Sequence, residues 1–213
     1  PRALKVCIVN EPGVLTQPRS GLRVIVTCSD RSMPRVASLG PDKVVDYKDP
    51  GAIQTIRDFV SDTGLYLIFD CVGVNETAAF CYQCFTAAPQ GSAAIDSRSP
   101  PKEFIYSTIM PVANLPPRPE SLPGSLPIRN KFKLVYTCFG RRFWFLGRTW
   151  EASREDRQFM VWFYRRVEEL LTYDKLRLMP IEIRDGGLEG VLEGVEDLRV
   201  GKVHGVKLVY LTA

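Results

Sequence analysis

Between Ser20 and Cys71 three short apolar runs alternate with stretches patterned for helix, and this alternation leaves few folds open to the chain. The runs are Arg23–Cys28, Lys43–Asp46 and Leu65–Cys71. Strand and helix in alternation point to βαβ units and a parallel sheet with helices on its faces. The runs are continuous in apolar character rather than alternating, as expected of strands buried on both sides.

The rest of the chain fits one such domain with at most a small appendage, since it has 213 residues. Its 45% apolar and 24% charged residues are ordinary for a globular protein. The net charge of +4 is mild and the basic residues are scattered, which argues against a nucleic-acid surface. No apolar run approaches the roughly 20 residues that span a bilayer, and no secretory signal pattern is present. The six cysteines lie largely inside apolar runs. Reduced thiols in a cytoplasmic protein are therefore the expectation.

Taken in order, Ala3–Asn10 reads as a strand closed by the turn Glu11-Pro12-Gly13. A short helix ends at Gly40, placed as a C-cap, and Ile53, Ile56, Phe59 and Val60 give the next helix an apolar stripe. Asn75 or Thr77 caps a third helix, and Ser92–Ile95 is expected as a fourth strand ending at Asp96. Residues 97–130 carry eight prolines and read as a long loop without regular structure. Lys131–Phe139 and Leu176–Ile183 return to strand pattern. Ser153 opens a helix to about Tyr173, whose stripe of Phe159, Phe163, Val167, Leu170 and Leu171 is expected to be buried. Leu188–Leu198 is amphipathic and Val206–Leu211 closes as a strand.

The blocks VIVTCSDRS, ASLGPDKVVDYKDP, QTIRDF, FDCVGVNETAAFC, YTCFG, SREDRQF and GGLEGVLEGVEDLRVGKVHGVKLVY together resemble the medium-chain dehydrogenase/reductase superfamily. Within it the chain is most similar to fungal trans-acting enoyl reductases, which partner iterative polyketide synthases. The opening ALKVCIVNEPG resembles the first strand and turn of that family's N-terminal, GroES-like catalytic domain. Between this opening and Ser20 the family carries most of its catalytic domain, its first Rossmann strand and a glycine-rich turn. No GxGxxG or GxxGxxG occurs here, so the chain reads as internally deleted. The resemblance thus implies an α/β fold: a Rossmann-like parallel sheet lacking its first strand and glycine-rich loop. Residues 1–19 would be a remnant of the N-terminal domain, and residues 20–213 the cofactor domain with its C-terminal tail.

Open α/β sheets bind ligands beyond the carboxyl ends of their strands. Ser29 and Arg31 follow such a strand, and a hydroxyl with a guanidinium suits a ribose 2′-phosphate. The resemblance assigns Ser29, Asp30, Arg31, Ser32 and Tyr47 to the adenosine end of NADPH; the plainer reading is an exposed turn. It assigns Ile95 and Asp96 to the nicotinamide ribose and Gly205 and Val206 to a tail contact. Judged without it, Ile95 is core and Gly205 a turn. It assigns Tyr136, Thr137, Cys138, Phe139 and Gly140 to the substrate lining, against a plain strand and turn. The missing glycine loop takes away the backbone cradle that tight dinucleotide binding uses.

Other chemistry is poorly supported. Cys81-x-x-Cys84 lacks the further ligands a zinc site needs, and both thiols fall on one helix face, which favours packing. Cys71 reads as a packed thiol. With His204 the sole histidine, a Ser-His-Asp relay is not supported, and no catalytic residue is assigned. Trp144, Trp150 and Trp162 read as core or as lining of an apolar cavity.

The expected function is an NADPH-dependent oxidoreductase, without zinc, that reduces carrier-bound enoyl thioesters for a polyketide synthase. Two other readings stay open: a cofactor-independent polyketide cyclase or isomerase, and a non-catalytic remnant that binds a partner. A sheet missing its first strand would expose an edge and favour self-association.

Overall fold

The computed structural model describes residues 4–8 (backbone path), 23–92, 101–132, 134–176 and 178–212. Six parallel strands form one sheet: β1 (Leu4–Ile8), β2 (Arg23–Cys28), β3 (Lys43–Asp46), β4 (Leu67–Asp70), β5 (Phe104–Thr108) and β6 (Ile128–Phe132). Their order is β3-β2-β1-β4-β5-β6. The chain moves outward from β1 to one edge, returns beside β1 and continues to the other, which is the doubly wound Rossmann order.

The position of β1 corrects one part of the expected deletion, the absence of the sheet's first strand. Leu4–Ile8, expected as a vestige of a separate domain, pairs with β2 (Leu4↔Arg23 to Ile8↔Thr27). On its other side it pairs with β4 (Lys5↔Leu67 to Ile8↔Asp70). The sheet therefore has its central strand, with no vacant edge there. Parallel pairing requires a crossover of a dozen residues or more, and residues 9–22 meet that length. Those residues, including the Glu11-Pro12-Gly13 turn, lie outside the described ones.

The helices α1 (Met33–Ser38), α2 (Ala52–Phe59) and α3 (Asn75–Cys84) follow β2, β3 and β4. Ile25 of β2 packs with Ile56, Ile68, Phe85 and Tyr106 on the α2–α3 side; Val26 and Cys28 pack with Val36 of α1 on the other. Burial on both faces explains the unbroken apolar runs. Gly40 ends α1 at φ +80°, the left-handed turn expected of its C-cap. Cys81 and Cys84 are fully enclosed in the larger cluster, as packing predicts. Thr77 rather than Asn75 closes the start of α3, its hydroxyl accepting from the Val74 N–H at 3.2 Å.

The proline-rich stretch is more ordered than expected. β5 lies between Pro101 and Pro111, and β6 begins just after Pro127. The prolines flank the strands instead of interrupting the ladder, as strand chemistry demands. Phe104, Tyr106 and Thr108 are buried in alternation with Ile105 and Ser107. The expected Ser92–Ile95 strand lies outside the described residues beyond Ser92. The strand expected over 131–139 ends at Phe132, and Val135–Phe139 forms a helical turn stopped by Gly140 at φ +65°.

Beyond the sheet lie a hairpin, β7 (Phe143–Phe145) and β8 (Arg148–Trp150), and the long helix α4 (Arg154–Thr172). β9 (Ile181–Arg184), α5 (Gly187–Arg199) and β10 (Lys207–Tyr210) make a separate parallel two-stranded unit. The stripe expected to be buried on α4 is not: Phe159, Phe163 and Leu171 are exposed, and no residue of this helix is fully enclosed. Amphipathicity marks a face that seeks a partner; it does not supply one. No helix among the described residues is long and apolar enough to cross a membrane.

Candidate functional site

Two clusters occupy the carboxyl edge of the six-stranded sheet. The first sits beyond β2 and β3. Ser29 follows β2, and its hydroxyl lies 3.4 Å from that of Ser32 across a single helical turn, Asp30–Ser32. Asp30 and Arg31 are exposed, while Tyr47, at the end of β3, is half-buried. The Tyr47 N–H donates to the Cys28 carbonyl at 3.3 Å and fixes the two strand ends side by side. Burial first, then the carboxylates of Asp46 and Asp30, push the Cys28 thiol up, so it stays neutral beneath this surface. Arg35 of α1 donates to the Gly205 carbonyl, which ties the tail to the same end of the molecule.

The second cluster is an apolar cavity of about 460 Å³, within the range of small-molecule sites. Phe69 of β4 and Ser107 and Thr108 of β5 form one side. Leu134, Val135, Thr137 and Cys138 form another, and Glu155, Asp156, Phe159 and Met160 of α4 close it. The Thr137 hydroxyl donates to Asp156 at 2.6 Å, and Ser153 caps α4 by accepting from the Asp156 N–H at 3.1 Å. Arg157 donates to the Phe139 carbonyl at 3.1 Å. These bonds hold the helical turn Val135–Phe139 against the first turns of α4.

Below the cavity, Asp70 is fully buried. Its Oδ1 accepts from the N–H groups of Val72 and Gly73 at 2.8 and 3.0 Å. Its Oδ2 accepts from the hydroxyls of Thr77 and Tyr106 at 2.6 and 2.7 Å. Four donors satisfy the buried carboxylate and fix the turn after β4. Gly73, at φ +73°, lies so close to Thr108 that a Cβ there would come within 2.6 Å of its hydroxyl. The Asp70 turn therefore sets the position of one cavity wall.

Of the residues expected from the sequence, Ser29, Asp30, Arg31, Ser32 and Tyr47 come together, and Gly205 joins them through Arg35. Gly205 and Val206 do not line the cavity. Thr137 and Cys138 line it; Tyr136 and Phe139 are exposed and stack on one another, ring centroids 6.2 Å apart. Ile95 and Asp96 lie outside the described residues. The remaining wall residues were missed. For Ser107 and Thr108 the β-branched and aromatic run FIYST was a usable signal, masked by the surrounding prolines. Glu155 and Asp156 looked like helix-start residues only. Among the described residues no three His, Cys, Asp or Glu side chains group as metal ligands.

No family model matches the chain. A trans-enoyl reductase of Petromyces alliaceus is 31% identical over 196 residues, 89% of this chain and 48% of that protein. Another, of Aspergillus niger, is 32% identical over 192 residues, 90% of this chain and 47% of that protein. Among solved structures, the CurK enoyl reductase superposes with a TM-score of 0.65 at 11% identity, over 99% of this chain and 55% of that one. A putative NADPH:quinone reductase from Bacillus thuringiensis gives 0.66 at 12% identity, over 100% and 57%. The fold is that of the medium-chain dehydrogenase/reductase superfamily. By sequence the chain is similar to fungal trans-enoyl reductases, and it spans about half the length of the relatives it matches.

Proposed function

We propose that this chain forms the nucleotide- and acyl-binding part of an NADPH-dependent enoyl reductase acting in trans on carrier-bound enoyl thioesters of a fungal polyketide synthase. The observation that carries the reading is the apolar cavity at the ends of β4 and β5, on the same sheet edge as Ser29–Ser32. β2 and β5 are three strand steps apart, about 14 Å, so an extended dinucleotide can span the two clusters. The central strand β1 between them supports this further, since the order of strands reverses there.

The residues beyond β2 fit the adenosine end of NADPH. Two adjacent hydroxyls and an exposed guanidinium offer donors for a 2′-phosphate, and no acidic residue ends β2 to favour a free ribose hydroxyl. NADPH, when bound, supplies the hydride that goes to the β-carbon of the enoyl thioester. The chain's own part is positional. Arg31, Ser29 and Ser32 hold the phosphate, and the cavity takes the apolar acyl chain and excludes water from it. Thr137 is committed to Asp156 and orients the wall.

Calorimetric titration with NADPH and NADH, followed by an assay on an enoyl thioester, tests the reading. Micromolar binding selective for NADPH, weakened about tenfold by Arg31→Ala, is the expected result. No binding of NADPH at millimolar concentration would overturn it. Turnover of a polyene without NADPH would replace it by the cyclase reading.

A further inference from the structure

The cavity at the ends of β4 and β5 carries one hydroxyl that the fold leaves unused. Phe104 and Tyr106 of β5 belong to the core packed against α2 and α3. Successive side chains of a strand point to opposite faces, so Ser107 projects from the other face. There it stands beside Phe69, its partner in the ladder, and both line the cavity. The other hydroxyls of the wall are committed. Thr108 donates to the Met110 carbonyl at 3.0 Å, and Thr137 donates to Asp156 at 2.6 Å. Ser107 has no hydrogen-bond partner among the described residues. A hydroxyl left unpaired in an apolar wall costs stability unless a ligand completes it.

We infer that Ser107 is a catalytic residue of the proposed reduction: its hydroxyl donates to the carbonyl oxygen of the enoyl thioester and holds the charge that gathers there. This rests on the reading above. The demand comes from the chemistry. Hydride addition to the β-carbon breaks the C=C π bond and oxidises the nicotinamide. The π pair moves toward the carbonyl, and the resulting enolate carries its negative charge on oxygen. A proton supplied by solvent water then reaches the α-carbon and leaves a saturated thioester. A donor aimed at that oxygen is worth more in the transition state than in the ground state. No other group of the wall serves as well. The carbonyl only accepts, so the Glu155 and Asp156 carboxylates repel it, Thr108 and Thr137 have spent their protons, and the Cys138 thiol is a weak donor. Ser107 also lies near the carboxyl end of β5, where open sheets present groups to ligands. The wall thus orients the acyl group, with its carbonyl toward β5 and its chain toward Leu134, Phe159 and Met160.

Steady-state kinetics of the full chain on an enoyl pantetheine thioester with NADPH test the inference, with circular dichroism as the check on folding. Ser107→Ala should lower kcat about tenfold or more and leave the Kd of NADPH within twofold. Ser107→Thr keeps the hydroxyl and should recover most of the loss. A second arm needs no NADPH: calorimetry with a saturated acyl pantetheine thioester and with the thioether that lacks only its carbonyl. The wild type should bind the thioester about fivefold more tightly, as one neutral hydrogen bond provides, and Ser107→Ala should bind the two alike. Undiminished kcat in Ser107→Ala would overturn the inference. So would a Ser107→Thr variant as slow as Ser107→Ala, or a thioester preference that survives the loss of the hydroxyl. If no NADPH binds, the reductase reading falls by itself. A thioester preference abolished by Ser107→Ala then still supports the carbonyl contact, and the lack of any preference overturns it.

Discussion

Tyr106 of β5 donates its hydroxyl to Asp70 of β4 across 2.7 Å, and neither side chain reaches solvent. Burial, then the hydrogen bond and charge of Asp70, push the phenol well above its ordinary range. The pair joins two parallel strands at their carboxyl ends, just where the candidate site begins. Removing one donor from a buried carboxylate costs about 1.5–3 kcal/mol. Tyr106→Phe should lower stability by that amount in urea denaturation, and Asp70→Ala should cost more, since four donors lose their acceptor. Equal stability of Tyr106→Phe and wild type would deny the bond its role.

The thiols should separate by reactivity. Cys84 is pushed up to about 12 by burial, and burial also raises Cys81, with Asp70 adding to it. A thiol with a raised pKa is protonated below that value, so both stay inert at pH 8. Cys138 on the cavity wall and Cys71, both half-buried, should be alkylated before them. Peptide mass mapping over time reads this order, and early labelling of Cys81 or Cys84 would show that the core opens.

A pH dependence follows from Asp197. The Lys202 ammonium, then the Arg184 guanidinium, hold its carboxyl below the usual carboxylate range. A lowered folded pKa means that its contribution is complete above the unfolded value, about 3.9. That contribution is lost as pH falls through the folded one. Amide exchange in α5 should therefore be faster in Asp197→Asn than in wild type at pH 7, and the difference should vanish in acid. A difference that persists at pH 2 would place the effect elsewhere.

Under the proposed function, filling the cavity separates its role from that of the Ser29–Ser32 cluster. Cys138→Trp should raise KM for an enoyl thioester about tenfold or more and leave NADPH affinity within twofold, because Cys138 lies on the α4 side of the cavity. A parallel loss of NADPH affinity would mean that the two clusters are not independent.

How far the sequence reached can be seen at single elements. β2 and β3 fall on the expected residues because a strand buried on both faces leaves a continuous apolar run that few other structures tolerate. Gly40 was legible for a similar reason, since left-handed backbone favours glycine. β5 was hidden by prolines that lie outside the ladder. The stripes of α4 and α5 were read correctly as amphipathic, and that of α4 wrongly as buried, because periodicity records the shape of a face and not its cover. At the site, Ser29–Ser32 was legible as a strand-end turn. Glu155 and Asp156 were not, since nothing local distinguishes a capping carboxylate from one that also lines a cavity.

The sequence by itself determined the α/β alternation, the caps and the donors beyond β2, all of which depend on neighbours within a few residues. Only the tertiary structure decided that Leu4–Ile8 is the central strand, and that Phe69, Thr108, Cys138 and Phe159 enclose one cavity. Strand pairing is made by backbone groups that every residue type carries, so the sequence of a short apolar strand does not name its neighbours. A cavity wall assembled from four distant segments has no local pattern to betray it.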